Sequence, residues 1–205
     1  MQKRSKSMAQ LLYQGHGSYR IRGANGVVVY VDPYMGEGYD IKADIVLVTH
    51  EHHDHNKLSL VSLKPDGKVF RGRDMTDGVN YAKAEYKGVG IRAVPAYNKN
   101  HSARECVGFI VEIDGVKIYA SGDTSRTDFM YRLKDENIDY ALLPTDGIYN
   151  MDAAEASECA AIIGAKHTVP VHTKPETLFS DAVAGRFSCK GKLVLHPGEE
   201  IELVK

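Results

Sequence analysis

Segment 49–55, which reads Thr-His-Glu-His-His-Asp-His, restricts the chemistry of this chain more than any other stretch. It holds four of the nine histidines, and a solvated polar loop leaves that concentration unexplained. The apolar residues 45–48 predict a buried strand, and open α/β sheets bind ligands at the carboxyl ends of such strands. Because alternate residues of an extended segment point the same way, His50 and His52 could face one metal ion, while Asp54 and His55 face a second.

Length and composition limit the classes of function. The 205 residues predict one domain spanning 1–205, with 1–7 as a loose leader. The formal net charge of −1 gives no general attraction to nucleic acid, so we do not expect that partner. No run reaches transmembrane length, no apolar stretch follows the basic start, and the three cysteines are scattered. We therefore expect no membrane partner and a cytoplasmic location, and a homo-oligomer stays open.

The remaining chain reads as alternating short strands and helices. Strands are predicted at 11–13, 18–22, 27–31, 68–70, 81–86, 90–95, 107–113, 116–120, 139–144 and 166–171, and near Leu193 and Ile201. Helices are predicted at 57–63, where Pro65-Asp66-Gly67 stops the helix, between Asp128 and Asp135, at 152–163, and near 177–184. Residues 139–144 repeat the acid-then-apolar pattern of 44–48, which indicates two similar halves.

Three motifs resemble those of a known family. The pattern His-x-His-x-Asp-His after a hydrophobic strand and a threonine is that of the metallo-β-lactamase superfamily. Residues 15–18, Gly-His-Gly-Ser, and a strand ending in Asp32-Pro33 resemble the branch of small metal-dependent hydrolases similar to L-ascorbate-6-phosphate lactonase. Residues 96–98, Ala-Tyr-Asn, followed by His101, resemble the same branch, although Ser102 replaces its usual proline. The resemblance covers essentially residue 11 onward and implies an α/β fold, a four-layer αββα sandwich.

The resemblance also implies a ligand set for two divalent metal ions. Zinc is the first expectation, with manganese or iron as alternatives. The implied ligands are His50, His52 and His101 for one ion, Asp54, His55 and His172 for the other, and Asp123 between them. An exposed loop histidine is the alternative for His101, and a simple turn is the alternative for Gly122-Asp123. We expect Asp32 to orient a ligand histidine, and Asp146 to be a turn residue.

The chemistry that follows is metal-dependent hydrolysis of a small molecule. A metal ion lowers the pKa of a bound water to about 7 from roughly 15.7, which makes hydroxide available without a serine or cysteine nucleophile. Asp54 is the candidate catalytic residue, since it could orient that hydroxide and pass on its proton. Candidate substrate contacts are Tyr97, Asn98, Tyr149, Lys174 and His16. An ester, lactone or phosphoester is the expected substrate.

Two other function classes remain open at this stage. The same site could cut phosphodiesters, but nucleases of this superfamily usually carry an added RNA-binding arm or domain. A non-hydrolytic di-iron or metal-binding protein is the other alternative. Di-iron oxygen reductases of the superfamily typically have glutamate where this chain has His52, and they are fused to a flavin domain.

Overall fold

Two six-stranded sheets form the frame of the protein, in a computed structural model that describes residues 8–205. The predicted leader, 1–7, lies outside the described residues. In spatial order, the first sheet contains β12 (Glu200–Glu202), β1 (Gln10–Gly15), β2 (Ser18–Arg22), β3 (Val28–Val31), β4 (Ala43–Val48) and β5 (Leu63–Arg71). The second contains β11 (His167–Val171), β10 (Tyr140–Pro144), β9 (Val116–Ala120), β8 (Val107–Ile113), β7 (Val89–Pro95) and β6 (Lys83–Tyr86).

The helices are short and lie between strands in the chain. They are α1 (Gly72–Met75), α2 (Met130–Leu133), α3 (Ala153–Ile163) and α4 (Asp181–Arg186), with 3₁₀ turns at Leu58–Leu60 and Lys134–Glu136. The predicted helix at 152–163 is confirmed as α3. Asp152 caps it by accepting hydrogen bonds from the amides of Ala154 and Glu155. Gly164, with φ of 67°, ends it in the left-handed conformation that glycine adopts without strain. No helix of the described residues is long and apolar enough to cross a membrane.

Both sheets repeat the same pattern of strand directions. Counted from β12 and from β6, each has three antiparallel pairings followed by two parallel ones. The similar segments at 44–48 and 139–144 occupy equivalent strands, β4 and β10. The repeat places the carboxyl ends of the parallel strands β3 to β5 and β9 to β11 where loops can converge on one site.

The core confirms the predicted αββα sandwich. Side chains of both sheets, including Tyr13, Ile45 and Phe109, are buried together between them. A second cluster, which contains residues of α2 and α3, covers the outer face of the second sheet. The outer face of the first sheet is covered more thinly, by the segment around Tyr39 and the 3₁₀ turn at Leu58–Leu60.

The predicted helix at 57–63 is wrong. Only Leu58–Leu60 forms a 3₁₀ turn, and Pro65-Asp66-Gly67 lies within β5, where the strand bulges between its pairings at Leu63 and Lys68. The reason is tertiary: β5 pairs in parallel with β4, with an irregular register between Ala43 and Ile45. It is also the edge strand of its sheet, where a proline without an N–H is tolerated. Near Leu193 a single bridge, between Thr168 and Lys192, replaces the predicted strand. The helix predicted between Asp128 and Asp135 is limited to α2 and a 3₁₀ turn.

A buried carboxylate joins the two sheets at the end of β4 opposite the histidine segment. The Asp44 side chain is 2% exposed and accepts hydrogen bonds from Lys64 Nζ at 2.5 Å, Lys87 Nζ at 2.6 Å and the Val28 amide at 3.0 Å. Lys87 lies in the turn between β6 and β7, so this contact spans the sandwich. Burial disfavours the charge on Asp44, but the two lysines and the Val28 amide hold its pKa below the usual range.

Asp44→Asn is expected to lower the free energy of unfolding by about 2 kcal/mol at pH 7, because hydrogen bonds to a charged group are lost. Since the folded-state pKa is lowered, the charge stabilises the fold above the unfolded pKa of about 3.9, and this contribution is lost as pH falls through the folded value. Urea unfolding is measured at pH 7, 4 and 3. The difference in free energy of unfolding between the parent and Asp44→Asn should shrink below about pH 4. Asp128→Asn, at an exposed position, is the control. An unchanged gap at pH 3 would contradict this account.

Candidate metal centre

Histidines and carboxylates converge where loops leave the parallel strands. The segment after β4 supplies His50, His52, Asp54 and His55, the loop after β9 supplies Asp123, and His172 follows β11. His101 comes from the connection between β7 and β8, and His16 from the turn between β1 and β2. All of these except His52 and Asp54 are buried. The structure therefore brings together every residue that the sequence analysis expected as a metal ligand.

His50, His52 and His101 form the first group. Their ring nitrogens lie within 4.8 Å of one another. The His50 Nε2 and His52 Nδ1 atoms are 3.1 Å apart. Two imidazole nitrogens about 2.0–2.1 Å from one tetrahedral zinc ion lie roughly 3.3–3.4 Å apart, so this spacing fits two ligands of a common ion.

His16, Asp54, His55 and His172 form the second group, again with ligand atoms within 4.8 Å of one another. Asp54 Oδ2 lies 3.2 Å from His16 Nε2, 3.5 Å from His172 Nε2 and 3.8 Å from His55 Nε2. The presence of His16 among the ligand-type atoms is the addition to the expected set. Its ring packs against His172, with the ring centroids 3.8 Å apart.

Asp123 lies between the two groups. Its Oδ1 is 3.2 Å from His55 Nε2, while its Oδ2 is 3.4 Å from His101 Nε2 and 3.5 Å from His172 Nε2. A carboxylate with both oxygens placed in this way can serve two ions at once.

A polar side chain lies close to the Nδ1 atom of each of four buried histidines, His50, His55, His101 and His172. His55 Nδ1 lies 2.8 Å from Asp32 Oδ2, His50 Nδ1 3.0 Å from Thr49 Oγ1, His101 Nδ1 2.9 Å from Asn98 Oδ1, and His172 Nδ1 3.1 Å from Asp146 Oδ2. This leaves the Nε2 atoms for the centre of the site. The Nε2 atoms of His55 and His172 are buried and have no hydrogen-bond partner, and His172 Nδ1 also lacks one, because its contact with Asp146 does not have hydrogen-bond geometry. Such convergent, unpartnered nitrogens with oriented rings fit a metal ion.

Backbone conformation helps to aim three of these side chains. His16, Asp32 and His172 have φ of 54°, 45° and 44°, in the left-handed region that residues other than glycine rarely adopt. Local strain of this kind persists where surrounding contacts fix it, and it concentrates at functional sites.

The electrostatics of the site favour positive charge. Burial disfavours the Asp123 carboxylate, but His172 and His55 hold the pKa of Asp123 well below its usual range. Burial also opposes protonation of His172, yet Asp123, Asp146 and Asp54 together raise the pKa of His172 to about 9. Burial keeps the pKa of His50 well below its usual value, so this imidazole has a free lone pair at neutral pH. Metal binding requires ionised carboxylates and neutral imidazoles, so an ion at this site would displace the proton that the carboxylates favour on His172.

Two adjoining cavities open over the metal-ligand groups. One, of about 310 Å³, is lined by His50, His52, Arg73 and His101 among others. The other, of about 210 Å³, is lined by residues that include His52, Asp54, Asp123 and Tyr149. Their combined size suits a small molecule, since ligand pockets typically measure about 300–1,000 Å³.

The expected substrate contacts are placed unequally around these cavities. Tyr149 lines the 210 Å³ cavity, whereas Tyr97 lies on a neighbouring surface cavity. Asn98 uses its amide within the protein, donating to the Tyr149 carbonyl and accepting from His101. Lys174 is exposed and lines neither cavity over the metal-ligand groups.

Asp146 lies closer to the candidate metal centre than the sequence alone indicated. We expected a turn aspartate, and its Oδ1 does accept hydrogen bonds from the amides of Ile148, Tyr149 and Asn150. Its Oδ2 also faces His172. The repeat between the halves of the chain was the available signal, because Asp146 follows β10 as the histidine segment follows β4.

Comparison with known proteins agrees with the family that the sequence motifs resemble. The sequence model of the Beta-lactamase superfamily domain matches residues 10–172. A UPF0173 metal-dependent hydrolase of Pyrococcus abyssi is 30% identical, over 96% of this chain and 100% of that protein, and one of Thermococcus onnurineus is 29% identical with the same coverage. The solved structure of a candidate metal-dependent hydrolase from Parabacteroides distasonis has a TM-score of 0.73 and 26% identity, covering 91% of this chain and 92% of that chain. The chain therefore belongs to the metallo-β-lactamase superfamily, in the UPF0173 family of metal-dependent hydrolases.

Proposed function

We propose that this hydrolase binds two divalent metal ions, zinc first and manganese or iron as alternatives, and cleaves a small-molecule ester, lactone or phosphoester. The observation that carries the proposal is the meeting of two groups of convergent ligand atoms at the Asp123 carboxylate. His50, His52 and His101 would hold one ion. Asp54, His55 and His172 would hold the other, and Asp123 would lie between them.

Residues of the chain carry out the other parts of the proposed reaction. Bound divalent ions supply Lewis acidity, which polarises a carbonyl or phosphoryl oxygen and lowers the pKa of water to about 7. Asp54 orients the nucleophilic water and accepts its proton, since this carboxylate lines the substrate cavity and is 19% exposed. His16 Nε2 lies 3.2 Å from Asp54 Oδ2, and its Nδ1 lies 3.1 Å from the Thr177 carbonyl. Burial lowers the pKa of His16, so the ring is neutral and its single N–H is donated to one of these two acceptors.

The substrate is proposed to be small, in line with the lactonase-like branch that the motifs resemble. The two cavities share His52 and His101, so a substrate could bind over both metal groups. Tyr149 is the proposed contact, because this residue lines the cavity. We also propose a cytoplasmic location, because Cys106, Cys159 and Cys189 are all unpaired thiols and two of them are buried.

His101→Ala is expected to remove about one of two bound ions per chain, because only one group loses a ligand. Metal content is measured by mass spectrometry on protein purified without chelator or affinity metal. His196→Ala, which removes a half-exposed histidine paired with Asp181, is the matched control and should retain both ions.

Hydrolysis is assayed beside metal content, with p-nitrophenyl esters, simple lactones and bis(p-nitrophenyl) phosphate. Cleavage of an ester or lactone by the metal-loaded parent, and its loss in His101→Ala, would support the proposed reaction. One ion per chain, unchanged in His101→Ala, would contradict the dinuclear site. Cleavage of the phosphodiester alone would rule out the ester and lactone substrates and assign the site to phosphodiester hydrolysis.

A further inference from the structure

The segment 146–150, Asp-Gly-Ile-Tyr-Asn, contacts the candidate ligand His172 directly and is linked to His101 through Asn98; we call it the strap. Asp146 closes it internally, because its Oδ1 accepts hydrogen bonds from the amides of Ile148 at 2.6 Å and Tyr149 at 2.7 Å. The Asp146 side chain is fully buried, and its Oδ2 lies 3.1 Å from His172 Nδ1. One carboxylate thus fixes the course of the strap by hydrogen bonds and lies in polar contact with a second-group histidine.

The other attachment of the strap reaches the first group. The Tyr149 carbonyl accepts hydrogen bonds from Asn98 Nδ2 at 2.9 Å and from Asn100 Nδ2 at 2.8 Å. Asn98 Oδ1 in turn accepts from His101 Nδ1 at 2.9 Å. A single amide side chain therefore links the strap backbone to a histidine of the first group.

A third contact joins the strap to the loop that carries Asp123. The amide of Met151, directly after the strap, donates to the Thr124 carbonyl. Gly147, with φ of 67°, makes the tight bend possible, since a Cβ there would meet Asp152 Cβ at 2.9 Å. The strap is held on three sides by residues adjoining the metal centre.

The strap nevertheless leaves two large apolar side chains exposed. Ile148 is 57% exposed and Tyr149 is 52% exposed. Tyr149 shares the 210 Å³ cavity with Asp54, His101 and Asp123. Packing does not hold this ring in place, so the backbone attachments to His101 and His172 determine where it lies.

We propose that Asp146 and Asn98 are positioning residues that couple the metal centre to Tyr149, so that metal binding at His101 and His172 places the Tyr149 ring in the substrate cavity. This inference rests on the proposed function, because it requires metal ions at those histidines. Coupling of this kind is reciprocal: whatever fixes the strap also strengthens metal binding. Loss of a group that orients a ligand histidine typically costs 10–100-fold in metal affinity, and we expect about that loss here.

The experiment uses the absence of tryptophan from the chain. Tyr149→Trp introduces one fluorescent reporter on the strap, and zinc alone is titrated into the full-length, metal-stripped variant. Tryptophan emission should change as zinc binds, with bound zinc measured independently by mass spectrometry. Adding Asp146→Asn should reduce the emission change. It should also raise the zinc concentration required for binding by about 10–100-fold. Adding Asp128→Asn, at an exposed carboxylate away from the strap, should change neither quantity.

Asn98→Ala in the same reporter background is the second variant, should Asp146→Asn disturb folding. It acts through His101 instead of His172, and circular dichroism checks that each variant is folded. Zinc binding with silent tryptophan emission would overturn the coupling while leaving the proposed function intact. Unchanged zinc affinity and emission in folded Asp146→Asn or Asn98→Ala would overturn it as well. Failure of the parent to bind zinc, manganese or iron would overturn the proposed function and this inference together.

Discussion

Asp123→Asn is expected to reduce hydrolysis by about 10³-fold or more, because the candidate bridging carboxylate loses its charge. The substitution keeps the size of the side chain and removes its charge. The Asp123 carboxylate faces Nε2 atoms of His55, His101 and His172 at 3.2–3.5 Å, so an amide would present a donor where ionised oxygens belong. Lewis acidity is worth several kcal/mol, and each 1.36 kcal/mol corresponds to about tenfold in rate.

Metal content distinguishes this prediction from simple loss of a proton acceptor. Because Asp123 lies between the two groups, Asp123→Asn should weaken the binding of both ions, whereas His101→Ala should weaken the binding of one. Measuring zinc per chain and the rate of ester cleavage on the same preparation tests both statements. Asp128→Asn, which removes an exposed carboxylate five residues away, should keep parental metal content and rate. Full metal content in inactive Asp123→Asn would show that Asp123 acts in catalysis and does not bridge the ions.

The ligand-bearing segment was predictable because its chemistry is encoded locally. Residues 45–48 form part of β4 as expected, and His50 to His55 follow it directly. His172 was predictable for the same reason, since β11 leads into it. His101 and Asp123 depended on the family resemblance, because a lone loop histidine and a Gly-Asp turn carry little information by themselves.

The failures of the sequence prediction have a common physical cause, which is pairing between distant residues. Leu58 to Leu63 carry apolar residues at helical spacing, but the chain there joins the sheet beside β4. The single bridge near Leu193 similarly depends on Thr168, which is distant in sequence. The hydrophobic periodicity of one segment does not predict which distant segment it pairs with in the fold.

The groups that orient the histidines were only partly predictable. Asp32 was expected to orient a ligand, and the structure places it at His55 Nδ1. Asn98 was expected to contact substrate. In the structure its side-chain amide forms hydrogen bonds with His101 and with the Tyr149 carbonyl. Hydrogen bonds of this kind depend on side-chain direction between loops, so residue type alone does not distinguish an orienting group from a substrate contact.

Asp32→Ala is expected to lower the free energy of unfolding by about 3–5 kcal/mol, because it leaves buried partners without their charged acceptor. The carboxylate accepts hydrogen bonds from the Thr49 amide at 2.7 Å, the Thr49 hydroxyl at 2.7 Å and His55 Nδ1 at 2.8 Å. The Thr49 hydroxyl also holds His50 Nδ1. Asp32 therefore orients His55 directly and His50 through Thr49, so its loss affects both metal groups.

Thermal unfolding with and without zinc measures both consequences of losing Asp32. For a protein of this size, about 2–4 °C is lost per kcal/mol, so the melting temperature of metal-free Asp32→Ala should fall by roughly 6–20 °C. Zinc should raise the melting temperature of the parent by binding the folded state, and it should raise that of Asp32→Ala much less. The melting temperature of Asp32→Asn should lie between those of the parent and Asp32→Ala, because asparagine keeps one acceptor and tolerates the φ of 45°. Asp40→Ala, which breaks a surface pair with Arg20 at a side chain that is 76% exposed, should cost less than about 1 kcal/mol. If zinc stabilised Asp32→Ala as much as the parent, Asp32 would support the fold alone and not the histidines of the metal centre.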